Sequence, residues 1–288
     1  MKSCVNKLVL GTVQFGLNYG INNQAGQVSE IEVESILKLA HKNGITTLDT
    51  SSAYGNSEVV LGKSLKNAGL EFRIVSKYPQ SDSDVEATFS GSLSHLHQEK
   101  LYGYLIHHFD FYLSYPQIWE EMQHLKDSGK IEKIGFSIYT LAQLQYLLEH
   151  KVKFDIIQFP YNLLDRQFEP YLQELKESGV EIHTRSAFLQ GLFFKDVNLL
   201  NDKLLPLKTY LKSLHEYCEY NNLPIESLAL NYVASNPFID GVLIGVDNHL
   251  QLQANIDALQ SGIRQQDIEF ISSIKVIETE LLNPVNWK

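Results

Sequence analysis

Short apolar segments alternate with longer amphipathic segments from one end of the chain to the other. The short segments are rich in β-branched and aromatic residues and are bounded by turn residues, a pattern typical of buried strands. On this basis we predict strands at residues 8–12, 46–49, 73–77, 102–107, 131–137, 155–160, 181–185 and 241–245.

The longer segments have the spacing of amphipathic helices. In the clearest of them, residues 31–43, Val33 and Ile36 fall on the same apolar face. Ser29, followed one helical turn later by Glu32, has the spacing of a capping box at the start of this helix. The same pattern predicts further helices at residues 58–68, 84–96, 116–128, 141–150, 170–178, 207–221 and 225–235.

Strands that alternate with helices are normally parallel, because each helix carries the chain back across the sheet. An open, doubly wound sheet and a closed barrel both satisfy this pattern. Eight units is the number at which a barrel closes, and no Gly-rich phosphate fingerprint follows the first strand. We therefore predict an α/β fold of the TIM-barrel type, a closed (β/α)8 barrel of parallel strands with outer helices. No linker-like segment divides the chain, so residues 1–288 are predicted to form a single domain.

Composition and charge exclude several classes of function. A formal net charge of -10 argues against a nucleic-acid partner, which needs a basic surface, and gives no reason to expect a membrane partner. The two cysteines lie outside any disulfide or metal-binding pattern. No stretch has the character of a secretion signal or a membrane span. We therefore expect a cytoplasmic protein; its oligomeric state has no signature in the sequence.

Polar side chains stand at the ends of the predicted strands. In a barrel, catalytic residues gather at the carboxyl ends of the strands. Each of these residues alone has an ordinary structural explanation, such as a helix cap, a solvated strand end or a core imidazole. Their joint placement at one end of the barrel indicates a binding or catalytic site. Read in order, the strand ends are Thr12, Asp49, Lys77, His107, Ser137, Gln158, Arg185 and Gly245.

Tyr54 follows the second predicted strand and precedes the next helix. A neighbouring lysine would lower the pKa of its phenol and allow it to act as a general acid. Lys77, held in place by Asp49, is the candidate lysine, and His107 would orient a carbonyl group or share the proton. This set of groups suits carbonyl reduction, with a cofactor as the source of hydride, because no side chain supplies one.

The histidines do not suggest a metal site. His95 and His97 are two apart on a predicted helix, where such residues do not share a face. His107 and His108 are adjacent at a strand end and are expected to point to opposite sides. We therefore predict no bound metal.

Segments spread over nearly the whole chain resemble those of the aldo-keto reductase superfamily, in the family's order. They are LGT, GITTLDTSSAYGNSEVVLGKSL, IVSKYP, YLIHH, KIGFSIYT, IIQFPYNLLDR, RSAFLQGLF and IGVDNHLQLQAN. The segments GTVQFGLNYGI and RSAFLQGLF also resemble bacterial members linked to surface-polysaccharide metabolism. The resemblance implies a catalytic tetrad of Asp49, Tyr54, Lys77 and His107, and a nicotinamide dinucleotide held in extended form across the barrel mouth.

The resemblance also implies cofactor-binding positions, from the nicotinamide carboxamide at one end to the adenosine at the other. These positions are Gly11, Thr12, Ser137, Gln158, Arg185, Ser186, Leu189, Gly191, Gly245, Asn248, Gln251 and Asn255. The resemblance favours NADP(H) slightly over NAD(H). Against this preference, Gly245 and Gln251 stand where many members carry basic residues for the 2′-phosphate, with Asp247 between them.

Three further departures concern the reacting end. Arg185 replaces an aromatic residue that commonly stacks on the nicotinamide, and its planar guanidinium could stack there instead. Ile138 stands where the family often has Asn, and His108 where it often has Trp. A small polar carbonyl compound, such as a sugar or sugar derivative, is therefore the expected substrate. Its expected contacts are Tyr19, His108, Phe109 and Asn162.

Two other functions stay open from the sequence. A nucleotide-binding regulatory or sensor protein of the same fold would need little turnover. A Schiff-base aldolase would use Lys77 as its nucleophile, which requires a lysine with a lowered pKa.

Overall fold

The computed structural model describes residues 4–23, 25–80 and 84–287. In these residues, eight parallel strands close into a barrel in chain order, and the last strand pairs with the first. The predicted closed barrel is confirmed. The strands are β1 Leu8–Gly11, β2 Thr47–Asp49, β3 Arg73–Tyr78, β4 Leu101–Ile106, β5 Ile131–Ser137, β6 Ile156–Pro160, β7 Glu181–Arg185 and β8 Gly241–Gly245.

Helices surround the barrel, and none in the described ranges is long and apolar enough to cross a membrane. They are α1 Val13–Gly16, α2 Glu30–Lys42, α3 Ser57–Ala68, α4 Val85–Leu96, α5 Phe109–Ser114, α6 Ile118–Asp127, α7 Leu141–Glu149, α8 Leu172–Glu177, α9 Lys208–Tyr220, α10 Ile225–Ser235, α11 His249–Ala258 and α12 Gln265–Ser273. Short 3-10 helices add Cys4–Lys7, Glu169–Tyr171, Leu189–Phe194, Asp202–Leu207, Thr279–Leu282 and Pro284–Trp287.

The start of α2 differs from the predicted capping box. The Ser29 hydroxyl accepts a hydrogen bond from the Glu32 backbone N–H, as predicted. The Glu32 carboxylate, however, does not return to the backbone of Ser29. It accepts from the backbone N–H of His249 and bonds the His249 ring, 2.7 Å away. Two donors on a neighbouring helix therefore replace one local donor, and the contact ties α2 to α11.

Side chains alternate between the two faces of each strand, and this alternation places the strand-end residues inside the barrel. Val75, Leu105 and Ile156 form a small buried cluster of their own, apart from the main core between sheet and helices. Lys77 and Gln158 lie two residues beyond Val75 and Ile156, so they face the barrel axis on the same side of their strands. The apolar cluster thus forms a dry layer beneath the polar strand ends.

Gly135 on β5 allows the close approach of β6, and we predict that Gly135→Ala destabilises the barrel by roughly 3 kcal/mol or more. A Cβ atom at Gly135 would lie 1.7 Å from the backbone oxygen of Ile156. Gly91→Ala is the matched control, because a Cβ at Gly91 within α4 has no heavy atom within 4 Å. The control should be unchanged or about 1 kcal/mol more stable. Urea unfolding measures both, and equal stabilities would contradict the prediction.

Candidate active site

Two connected cavities open at the carboxyl ends of the strands. The inner cavity, of about 200 Å³, is lined by Gly11, Thr12, Val13, Gln14, Tyr19, Gly20, Asp49, Tyr54, His107, Ser137, Tyr139, Gln158, Arg185, Ser186, Ala187, Phe188, Gln190, Gly191, Leu243, Ile244, Gly245, Pro284 and Val285. The outer cavity, of about 370 Å³, shares part of this wall and adds Asn22, Asn23, Phe194, Glu226, Asp247, Gln251, Ala254 and Asn255. Most of the sequence-predicted strand-end residues therefore meet in one place.

A buried ion pair forms the floor of the inner cavity. The Lys77 side chain is fully buried, and its Nζ donates to Asp49 Oδ1 at 2.5 Å and to the carbonyl oxygen of Thr50 at 2.9 Å. The second carboxylate oxygen of Asp49 accepts from Gln158 Nε2 at 2.9 Å. Burial lowers the pKa of Lys77, and the Asp49 carboxylate opposes that shift. The pair is thus fixed by hydrogen bonds at both of its charged ends.

Tyr54 lies in the loop between β2 and α3, above this pair. Its ring centroid is 5.1 Å from Lys77 Nζ, and its hydroxyl makes no hydrogen bond to another residue in the described ranges. Burial, and then the Asp49 charge, raise the pKa of Tyr54 well above its ordinary value. The lowered pKa expected from a neighbouring lysine is not found in this structure, because burial and the Asp49 charge both raise the pKa of Tyr54. The phenol therefore holds its proton at neutral pH.

His107 lies one residue beyond the end of β4 and faces Tyr54. The two rings are nearly perpendicular, with centroids 5.6 Å apart, and His107 Nδ1 lies 3.2 Å from Ser51 Oγ. Burial, with the charges of Lys77, His108 and Arg185, lowers the pKa of His107 to about 2. The imidazole is therefore neutral over the working range of most enzymes.

The rings of His107 and His108 lie side by side, with centroids 4.9 Å apart. The expectation that they point to opposite sides is wrong, because β4 ends at Ile106 and strand alternation does not extend to these residues. No group of three or more His, Cys, Asp or Glu side chains that could hold a metal occurs in the part of the chain that the structure describes.

Arg185, at the end of β7, contributes a partly buried positive charge to the inner cavity. Its Nη2 donates to the carbonyl oxygen of Ile138 at 2.9 Å, and its Cζ lies 3.8 Å from the centroid of the Tyr139 ring. Sequence reasoning did not single out Tyr139. This distance is that of a cation–π contact, which helps to position the guanidinium.

The loops after β1 and β7 meet over the boundary between the two cavities. Gln190 Nε2 donates to the Tyr19 hydroxyl at 2.6 Å, and Asn22 Nδ2 donates to the carbonyl oxygen of Gly191 at 2.7 Å. We call these two contacts the bridge. Gly191 has a φ of +90°, in the region that favours glycine, and a Cβ there would also lie 2.9 Å from Asn22 Nδ2.

Five sequence-predicted contact residues do not line either cavity. Leu189 is fully buried in the core beneath the bridge. Asn248 caps α11, where its side-chain oxygen accepts from the backbone N–H of Gln251. Phe109 is buried against Phe136 and other rings.

Asn162 is the fourth of these residues, and it is fully buried in a turn. Its side-chain oxygen accepts from the backbone N–H groups of Leu164 and Asp165, and its Nδ2 donates to the carbonyl oxygen of Ser186. Of the other predicted substrate contacts, Tyr19 lines both cavities. His108, the fifth residue outside the lining of both cavities, is exposed beside His107.

The lining fits an extended ligand with hydrogen-bond donors. Gln14 lines both cavities, and its side-chain oxygen is buried without a hydrogen-bond partner in the described ranges. The same holds for one carboxylate oxygen of Asp247 in the outer cavity. A Cβ at Gly245 would lie 2.5 Å from Gln14 Nε2, so a side chain there would displace the Gln14 amide. Amide and ribose hydroxyl groups are suitable partners for such acceptors.

Comparison with known proteins gives a consistent family. The sequence model described as "Aldo/keto reductase family" matches residues 7–276. The chain is 26% identical over 262 residues to glyoxal reductase of Bacillus subtilis, covering 88% of this chain and 87% of that protein. It is 23% identical over 305 residues to NADH-specific methylglyoxal reductase of Escherichia coli, covering 91% and 92%.

A sugar-oxidising enzyme and a solved structure are also similar. L-galactose dehydrogenase of Arabidopsis thaliana is 26% identical over 293 residues, covering 93% of this chain and 91% of that protein. An aldo-keto reductase from Bacillus halodurans, solved in its holo form, has a TM-score of 0.74 at 21% identity, covering 92% and 91%. The structural likeness supports the barrel fold.

We predict that Asp49→Asn lowers the free energy of unfolding by about 3–5 kcal/mol, because it leaves the Lys77 ammonium buried without its counter-charge. Glu30→Gln is the matched control, since it breaks the exposed pair of Lys63 and Glu30, whose atoms are 2.6 Å apart. The control should cost less than about 1 kcal/mol. Urea unfolding at pH 7 compares them. Similar losses of unfolding free energy in the two variants would show that the buried pair contributes no more to stability than the exposed pair.

Proposed function

We propose that this chain, which belongs to the aldo/keto reductase family, reduces an aldehyde or ketone with a nicotinamide coenzyme as hydride donor and Tyr54 as general acid. The observation that supports this most directly is the position of the Tyr54 phenol above a buried Lys77–Asp49 pair, at the opening of a ligand-sized cavity. The proposed substrate is a small polar carbonyl compound, such as a sugar or sugar derivative. Names of similar proteins include both dicarbonyl reductases and a sugar dehydrogenase.

The bound reduced nicotinamide would supply the hydride that forms the new C–H bond at the carbonyl carbon. As that bond forms, Tyr54 donates its hydroxyl proton to the carbonyl oxygen, and the product is an alcohol. The Lys77 ammonium, 5.1 Å from the ring centroid, stabilises the phenolate left behind.

His107 orients the carbonyl group in this proposal. Ser51 Oγ accepts from the backbone N–H of Ala53, so its own hydrogen is available to His107 Nδ1. That arrangement places the imidazole proton on Nε2, where it can donate to the carbonyl oxygen. A neutral imidazole, which the low pKa of His107 ensures, does not compete with Tyr54 as a strong acid.

The coenzyme would extend through both cavities. The residues proposed for its nicotinamide and pyrophosphate are Gly11, Thr12, Ser137, Gln158, Ser186 and Gly191, all of which line the inner cavity. Gly245, Gln251 and Asn255, which line the outer cavity, would hold the adenosine end.

The charge of the outer cavity bears on coenzyme preference. Family resemblance favours NADP(H) slightly. Glu226 and Asp247, however, line the outer cavity, and its described lining includes no Lys, Arg or His. A 2′-phosphate would meet two carboxylates and no cation, whereas a ribose hydroxyl can donate to a carboxylate. We therefore propose NAD(H) as the coenzyme.

Two alternatives receive different support. The bridge lies over the passage between the cavities and would slow release of a dinucleotide, which favours a nucleotide-binding regulatory protein as the second candidate. The Schiff-base aldolase is less well supported. Lys77 has a lowered pKa, but its Nζ is fully buried and engaged by Asp49 and Thr50, so a substrate carbonyl has no approach to it.

We predict that Tyr54→Phe lowers kcat about 10²- to 10⁴-fold, because it removes the proton donor, while the Kd for the coenzyme stays within about threefold. Steady-state kinetics on small aldehydes and fluorescence titration with NADH measure the two quantities. Tyr220→Phe, at a side chain that is 91% exposed, is the control and should match the parent protein. Retained turnover in Tyr54→Phe would exclude this mechanism.

We predict that NADH binds at least as tightly as NADPH, and that Gln251→Arg tightens NADPH binding about tenfold or more by pairing with the 2′-phosphate. Gln253→Arg adds the same charge to α11 outside the described lining of the outer cavity and should leave both Kd values unchanged. Fluorescence titration of each coenzyme decides. A parent protein that prefers NADPH tenfold would refute the proposed coenzyme.

A further inference from the structure

Arg185 carries a positive charge that no carboxylate neutralises. In the described ranges its guanidinium forms no ion pair, and its one hydrogen bond runs from Nη2 to the carbonyl oxygen of Ile138. The other guanidinium nitrogens therefore have donors to spare. The Arg185 charge opposes the rise in the pKa of Asp165 that burial causes. The Asp165 carboxylate, however, accepts hydrogen bonds from Gln167 and forms no ion pair with Arg185.

The charge lies at the reacting end of the cavities. Arg185 lines the inner cavity together with Tyr54, His107 and Tyr139, and it is absent from the outer cavity. Its charge contributes to the lowered pKa of His107 and opposes the rise in the pKa of Tyr54, which burial dominates. Lys77, the other cation there, is offset by Asp49. The inner cavity thus has a local positive charge inside a chain whose formal net charge is -10.

Two contacts fix the position of the guanidinium and leave its remaining donors available to a ligand. Its Cζ lies over the Tyr139 ring, 3.8 Å from the ring centroid, and one of its nitrogens donates to the carbonyl oxygen of Ile138. A planar, preorganised guanidinium with free donors matches the oxygens of a carboxylate or phosphate, and partial burial strengthens that attraction.

We infer that Arg185 binds an anionic group of the substrate, so that the preferred substrates are carbonyl compounds bearing a carboxylate or phosphate. The inference rests on the proposed function, because it places this anion beside the carbonyl that Tyr54 protonates. An anion of the same chemistry could also come from the coenzyme pyrophosphate. The position of Arg185 beside Tyr54 and His107, rather than at the bridge or in the outer cavity, favours the substrate.

The test compares matched charged and neutral carbonyl compounds with NADH as donor: glucuronate with glucose, and glyceraldehyde 3-phosphate with glyceraldehyde. We expect kcat/KM of the parent protein to be at least about tenfold higher for the charged member of one pair. Arg185→Gln should lose about 10- to 100-fold on that member, mostly through KM, and less than about threefold on its neutral partner. Arg185→Lys should recover part of the loss.

Arg73→Gln is the control, because it removes the same charge from an exposed residue at the start of β3. It should change kcat/KM for neither the charged nor the neutral substrate.

A binding measurement separates the inference from the proposed function. Calorimetry with the NADH-loaded protein and a non-reducible anion, tartronate or 2-phosphoglycolate, should show binding that Arg185→Gln abolishes. Such binding without turnover of any carbonyl would support the anion site and overturn the proposed reduction. Turnover of neutral and charged carbonyls with equal kcat/KM would overturn the anion site and leave the reduction standing. If Arg185→Gln instead weakens NADH binding tenfold and slows every substrate equally, Arg185 binds the coenzyme and the inference is wrong.

Discussion

The buried ion pair between Lys77 and Asp49 is the interaction on which the rest of the candidate site depends. Two buried opposite charges require hydrogen bonds to their polar atoms, and Thr50 and Gln158 supply two of these beyond the bond within the pair. The pair therefore ties β2, β3 and β6 together at one level of the barrel. Beneath it lies the apolar layer, and above it lies open cavity. Tyr54 stands at this boundary, where burial keeps its phenol protonated.

The two cavities differ in charge, and this difference would orient an elongated ligand. Arg185 makes the inner cavity locally positive, whereas Glu226 and Asp247 make the outer cavity negative. Such opposite fields act strongly in partly buried sites, where solvent screening is weak. In the proposed function, recognition of both the coenzyme and the substrate would thus depend on charges that the general barrel architecture does not require.

The strand ends and the loops contribute different parts of the site. The barrel fixes the polar side chains at its axis, while the loops after β1 and β7 form the bridge through Tyr19 and Gln190. The segment that follows α12 is attached to the barrel by Arg166, which donates to the carbonyl oxygens of Ile271 and Ile274. Through that segment, Pro284 and Val285 reach the inner cavity although they lie far from it in sequence.

The sequence by itself determined the barrel and the inner part of the site. Strand periodicity is local, and parallel strands in a closed barrel all end at the same face, so residues such as Lys77 and Gln158 could be assigned to one site from their spacing. Loop residues could not be assigned in this way, because a loop has no fixed period. Asn162 turned inward to satisfy backbone N–H groups, and Leu189 turned into the core, while Tyr139 and Val285 reached the cavity. The raised pKa of Tyr54 and the uncompensated charge of Arg185 also depended on tertiary structure, since burial and the distance to a counter-charge are set only when distant segments pack together.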